Sequence, residues 1–177
     1  MPAAISIAHP AAFEEDVVAL FDELQGRLLR YLLSLGLPAS DSEEIIQEAF
    51  LALFLHLRSG KPRHNLRAWV FQVTHNLALK QRHRLLRRTW LSAQPVLIDG
   101  APNPEDQFFL NERQRRLFGV WNALAERDRR CLSLRAEGLT YREIAHVLEM
   151  SLGAVSLSLT RSLARFARAD HSGNSQW

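Results

Sequence analysis

Three stretches of this chain carry residue types whose spacing could do chemistry. In "DSEEIIQEAF", residues 41 to 50, Asp41, Glu44 and Glu48 lie three and four apart with Gln47 beside them, so on a helix they share one face. Like charges so placed cost roughly a few tenths of a kcal/mol per pair unless a basic partner or the helix N-terminus offsets them. The dipole accounts for Asp41 and Glu44 but hardly for Glu48. An ordinary acidic helix start and a carboxylate metal site are both open, although no His or second acidic cluster accompanies the face. In "NLRAWVFQVTHNLALKQRHRLLRR", 65 to 88, Trp69 and Phe71 interleave with Arg67, Gln72, His75, Asn76, Lys80 and Arg84. Aromatics beside cations suit unstacked single-stranded bases, since stacking contributes about 1–3 kcal/mol per base. Trp69 fits a core position as well, and "AWVF" favours packing. His75 and His83, eight apart with no third ligand, do not make a metal site.

The third stretch runs from "GLTYREIAHVL" into "SLGAVSLSLTRSL", residues 138 to 163. It reads as two short helices joined by a tight turn, the outline of a helix-turn-helix whose second helix lies in the DNA major groove. Tyr141, Ile144, Ala145 and Leu148 form the packing face of the first helix. Ser151 caps the second, whose Leu152, Val155, Leu159 and Leu163 point inward. Ala154, Leu157, Ser158 and Arg161 then face out, with Ser156 and Thr160 on the flanks. Val155 to Thr160 holds no Lys or Arg, so positive charge must come from Arg142, Arg161 and Arg165. Three phosphate contacts imply a salt slope of roughly −3, shallow for a specific duplex reader.

The elements that position these residues are helical. Apolar residues at Val17, Leu20, Phe21, Leu24, Leu28, Tyr31 and Leu35 make a stripe from Phe13 to Leu35, stopped by "GLP" at 36 to 38. Ser40 with Glu43 predicts a capping box for the next helix, whose Ile46, Phe50, Leu53 and Leu57 share a face. After the turn-rich basic loop "SGKPRHN", a long helix runs from Leu66 to about Arg88, with Val70, Val73, Leu77 and Leu85 inward. "TWLSAQPVLIDGAPNP" has three prolines and a glycine with no sustained period, and reads as a linker. The expected architecture is all-α: two small helical domains, 13–88 and 105–168, joined by the linker 89–104 and followed by a disordered tail, 169–177.

Composition narrows the function. The chain has 177 residues, 47% of them hydrophobic, and a formal net charge of +3, enough apolar content for a true core. Between Glu48 and Asp99 there is no acidic residue, while nine Lys and Arg fall there, from Arg58 to Arg88. Such segregation suits a polyanion or a membrane surface better than a merely solvated face. The single cysteine, Cys131, excludes an internal disulfide and a Cys-cluster zinc site, and its setting "RRCLSLR" predicts a buried thiol. No apolar run is long enough to span a membrane, and the N-terminus lacks signal-peptide features, so a cytoplasmic protein without membrane insertion is expected. No "HExxH", phosphate loop or nucleophile–base set marks an enzyme, and no cofactor is expected.

Taken in order, the three stretches resemble bacterial RNA polymerase sigma factors of the extracytoplasmic-function group, over roughly residues 13 to 168. "DSEEIIQEAF" matches that family's "DAEDxxQExF", "RAWVFQVTHN" its "RAWLxxIAxN", and "GLTYREIAHVLEMSLGAV" its "GLSYxEIAxxLxxSxGTV". The resemblance implies that Asp41, Glu44, Gln47 and Glu48 dock on the clamp helices of the largest subunit of core RNA polymerase. It implies that Arg67, Trp69, Asn76, Lys80 and Arg84 hold melted minus-ten promoter DNA. It assigns Arg142, Ala154, Ser156, Leu157, Ser158, Arg161 and Arg165 to minus-thirty-five duplex, and adds an anti-sigma protein as a partner. Three departures stand out: Glu149 where the family usually has Gly, Ala125 where it has Pro, and "GAVSLSL" where it has "GTVKSRL". The last keeps in view a sigma-like protein with weakened minus-thirty-five reading, and beside it stands a helix-turn-helix regulator that never joins polymerase, which would need neither the acidic face nor the aromatic-basic helix.

Overall fold

The computed structural model describes residues 10–91 and 112–171, with side chains from 14 to 88 and from 112 to 171. Seven α-helices account for nearly all of them: α1 Pro10–Ser34, α2 Ala39–Arg58, α3 Leu66–Leu91, α4 Glu112–Asn122, α5 Glu126–Ala136, α6 Tyr141–Val147 and α7 Leu152–His171. Most of the proposed linker, and residues 105–111 of the second domain, lie outside the described residues. Two boundaries differ from expectation. α3 continues to Leu91, because nothing before Pro95 interrupts a helix rich in Leu and Arg. α7 runs to His171, three residues into the segment read as tail, where the Asp170 carboxylate accepts from Arg113 of α4.

Helix ends are set by local chemistry. After α1, Gly36 at φ 81° lets Leu37 N–H reach the carbonyl of Leu32 while Gly36 N–H reaches Leu33, a Schellman close that points α2 back along α1. The capping box expected at Ser40 and Glu43 is absent. The N-cap falls two residues earlier, at Pro38, which makes no side-chain cap hydrogen bond, and α2 begins at Ala39. A capping box does form at Thr140 and Glu143, at the start of α6. Ser151 caps α7 through the Ala154 N–H at 3.2 Å.

The first three helices pack around Leu24, Leu28, Leu32, Phe50, Leu53, Val70 and Phe71, with Phe21 edge-on to Phe50 at 5.0 Å. The last helices pack around Cys131, Leu134, Ile144, Val147, Val155 and Leu159. These two cores are continuous. α5 and α6 lie against α1 and α3, so the C-terminal unit rests on the long basic helix instead of standing apart from it.

Candidate docking and nucleic-acid interfaces

At 100° per residue, Glu44, Glu48, Leu51 and Leu55 form one stripe along α2, flanked by Asp41 and Gln47. Glu44, Gln47, Glu48, Leu51 and Leu55 are exposed, while Asp41 is half-buried and accepts a hydrogen bond from Gln81 of α3 at 2.8 Å. The four acidic and amide residues therefore do come together. Leu51 and Leu55 extend their surface and were missed by the sequence reading. The signal was present: α2 has leucines on two sides, and only one side is needed for the core. A groove of about 540 Å³ between Phe21, Gly26 and Leu29 of α1 and Ile46 and Gln47 of α2 borders this face. Among the described residues no cluster of three His, Cys, Asp or Glu is placed to hold a metal ion.

On α3 the same geometry divides the candidates. Trp69, Asn76, Lys80 and Arg84 fall within one helical stripe, and the last three are exposed. Trp69 is half-buried, packed on the core with its ring 4.6 Å from the His56 ring, so one part of it faces the stripe and another is structural. Arg67 does not join them. Nine residues before Asn76, it lies about 180° away around the helix, and its Nη2 donates to the carbonyl of Glu137 in the C-terminal unit at 3.3 Å. Arg82, which the sequence reading passed over, also turns to that side and pairs with Glu126, which Arg130 shares.

The helix-turn-helix requires one correction of consequence. Ser158 does not face outward: it is 1% exposed and its hydroxyl donates to Asp128 of α5 at 2.6 Å. Leu152 and Leu163, expected inside, are about half exposed. The buried arc of α7 is centred on Val155 and Ser162, turned by roughly 50° from the leucine stripe. The cause is Asp128, a buried carboxylate that must be hydrogen-bonded and draws Ser158 and Arg161 to itself. A leucine pattern cannot reveal a carboxylate thirty residues away. Leu157 is 63% exposed, and Arg142 and Arg165 are exposed as well. Thr140, Tyr141, Arg142, Leu152, Gly153 and Ser156 line an open cleft of about 630 Å³ between α6 and α7, and Ala154 is half-buried. The turn itself closes with Glu149 at φ 53°, a left-handed residue where Gly is easier.

Between the two units lies a polar seam. Arg30 forks onto Glu137 through Nε and Nη2 at 3.1 and 2.8 Å, and Ser34 donates to Ser133 at 2.9 Å. Hydrogen bonding to Arg82 holds the Glu126 carboxyl below its ordinary range. Tyr31 and His75 are buried together, hydroxyl to Nδ1 at 2.7 Å. Burial, reinforced by Arg130 and Arg82, pushes the His75 imidazole down to about 4, so it is neutral. Burial likewise raises the Cys131 thiol, which is fully enclosed.

Comparison with known proteins aligns with this layout. Residues 20–90 match the family described as Sigma-70 region 2, and residues 121–166 match Sigma-70, region 4. A probable RNA polymerase sigma factor, RfaY of Xanthomonas campestris, is 30% identical over 146 residues, covering 79% of this chain and 36% of that protein. The chain thus spans about a third of that relative's length. The extracytoplasmic-function RNA polymerase sigma-E factor of Haemophilus influenzae is 23% identical over 161 residues, covering 80% of this chain and 78% of the relative. In structure, the sigma factor RpoE of Bartonella quintana, solved with the anti-sigma factor NepR, superposes with a TM-score of 0.65 at 20% identity, over 89% of this chain and 95% of that one.

Proposed function

This chain belongs to the sigma-70 family, in its extracytoplasmic-function group, and from that membership we propose that it binds core RNA polymerase and directs promoter-specific initiation. The observation that carries the reading is the pairing of two exposed faces on consecutive helices: acidic and apolar on α2, aromatic and basic on α3. The α2 face, with Asp41, Glu44, Gln47 and Glu48, meets the clamp helices of the polymerase. Its mutual repulsion is relieved when a basic surface covers it. The α3 stripe holds the displaced minus-ten strand, where Trp69 and the cations offset the few kcal/mol, roughly, that unstacking a base costs. The C-terminal unit addresses the minus-thirty-five duplex through the cleft beside Arg142 and Ser156 and through Leu157 and Arg165. No covalent chemistry belongs to the chain; the polymerase makes the RNA. The site of action is the cytoplasm, and an anti-sigma protein is included among the partners by likeness to the Bartonella complex.

Within this reading, minus-thirty-five recognition is weak in charge. Ser158 is buried and Arg161 leans on Asp128, so the middle of α7 offers Leu157 and small hydroxyls to the duplex. Such a surface can contact thymine methyls and phosphates but contributes little electrostatic affinity. Tethering by polymerase then supplies the local concentration the free domain lacks. Run-off transcription with core polymerase on a randomised-promoter library tests the whole proposal. Transcripts starting from a common two-element motif are expected. Duplex binding without co-purification of core enzyme would instead identify a helix-turn-helix regulator.

A further inference from the structure

We propose that the C-terminal domain closes over α1 and α3 as a proton-sensitive latch, with His75 sealed at the seam so that its protonation drives the two domains apart. His75 sits on α3 and is 4% exposed. From α1, Tyr31 reaches its Nδ1 at 2.7 Å; burial keeps the Tyr31 hydroxyl protonated, so the hydroxyl donates and Nδ1 accepts. The imidazole proton is therefore on Nε2. Arg130 and Glu126 of α5 and Arg82 of α3 act on the ring electrostatically, and the Cys131 thiol acts on Tyr31. Two guanidiniums share the one carboxylate of Glu126, so the pocket already carries excess positive charge. A second proton on the ring would add a third cation and remove the acceptor that Tyr31 uses.

α5, in the other domain, packs beside this pair, with Tyr31 in one core cluster with Cys131 and Leu134 and Ser34 touching Ser133, and it supplies much of the charge around the pair. Separating the domains returns His75 to water and to its ordinary titration near 6.5. The closed form holds it at about 4, so the open form takes up the proton first. Closure is therefore fully favoured above pH 6.5 and weakens as pH falls toward 4. Between pH 7 and pH 5 the closing constant drops about 20-fold. The seam is also poorly satisfied: Nε of Arg67, Arg82 and Arg130 is buried without a hydrogen-bond partner, which leaves the interface easy to open. Closure turns Arg67 and Arg82 inward, away from the exposed stripe of α3. Its bearing on transcription rests on the function proposed above, whereas the latch itself is tested without polymerase or DNA.

The experiment uses the full chain, with small-angle scattering from pH 7.5 to 5.0 and circular dichroism at each point. The wild type is expected to expand with its helicity unchanged. His75→Asn, which keeps an acceptor for Tyr31 but cannot titrate, is expected to stay compact. Ser34→Cys with Ser133→Cys joins two side chains that already touch across the seam; oxidised, this variant stays compact at pH 5.0, and reduced, it expands again. A wild type that keeps its size down to pH 5.0, or a His75→Asn chain that expands equally, overturns the latch. Should His75→Asn fail to fold, the His75 titration read by NMR decides: it must lie lower in the oxidised lock than in the reduced chain, and equal values overturn the proposal.

Discussion

Ser158 gives its hydroxyl to a buried carboxylate, while Leu157, one residue before it, stands in solvent. The two positions therefore answer oppositely to the same substitution. Ser158→Ala leaves Asp128 with only Arg161 and is expected to lower stability by about 1–3 kcal/mol; Ser158→Arg overfills the site and unfolds the C-terminal unit. Leu157→Arg is expected to leave the melting temperature unchanged and to steepen the salt dependence of duplex binding by about 0.9, one added phosphate contact. Thermal unfolding of the full chain and a salt titration of duplex binding check both. Glu149 offers a separate test. It holds a left-handed conformation at the turn between α6 and α7, so Glu149→Gly should raise stability by about 0.5–1 kcal/mol, read from the denaturation midpoint.

At the scale of the element, each functional helix divides its faces between core and partner, and substitutions should sort accordingly. On α2, changing Gln47 to Ala and Glu48 to Lys, or Leu51 and Leu55 to Ala, is expected to weaken co-purification with core polymerase at matched helicity, because all four side chains are exposed. Retention of core binding by both variants would remove the docking face from α2. On α3, Lys80→Ala and Arg84→Ala should each cost promoter melting while shifting stability by less than about 0.5 kcal/mol. Trp69→Ala should lower both, since its ring is partly in the core. A Trp69→Ala chain with wild-type melting temperature would mean that the indole serves DNA alone.

For the whole molecule, the seam is an ionic interface with both partners of Arg30–Glu137 and Arg82–Glu126 on different domains. The Arg30 side chain is mostly exposed, so the pair is screened by salt and worth little by itself. Closure should therefore loosen as ionic strength rises, in the same direction as when pH falls through the window between 6.5 and 4. Arg30→Glu, which sets two carboxylates against each other at the seam, is expected to expand the chain at neutral pH without loss of helicity, as scattering and circular dichroism would show. A chain that stays compact would place the strength of the interface in its apolar contacts alone.

The order of the helices, the Ser151 cap and the stripes Val17–Leu35 and Ile46–Leu57 were legible in the sequence, because helix periodicity and turn residues are local properties that neighbours within a turn decide, although the box read at Ser40 and Glu43 did not form. The stripe of Asn76, Lys80 and Arg84 was legible for the same reason, since spacing on one helix fixes a shared face. Which way α7 turned was not: the rotation came from Asp128, a buried acid on another helix, and nothing local distinguishes Ser158 from Ser156. Nor could spacing tell that Arg67 and Arg82 would be taken up by Glu137 and Glu126, or that His75 would be a buried neutral base beside Tyr31. The arginine assignments depend on partners in the other domain more than forty residues away, and the His75 pairing on the packing of α1 against α3, so only the tertiary structure decides them.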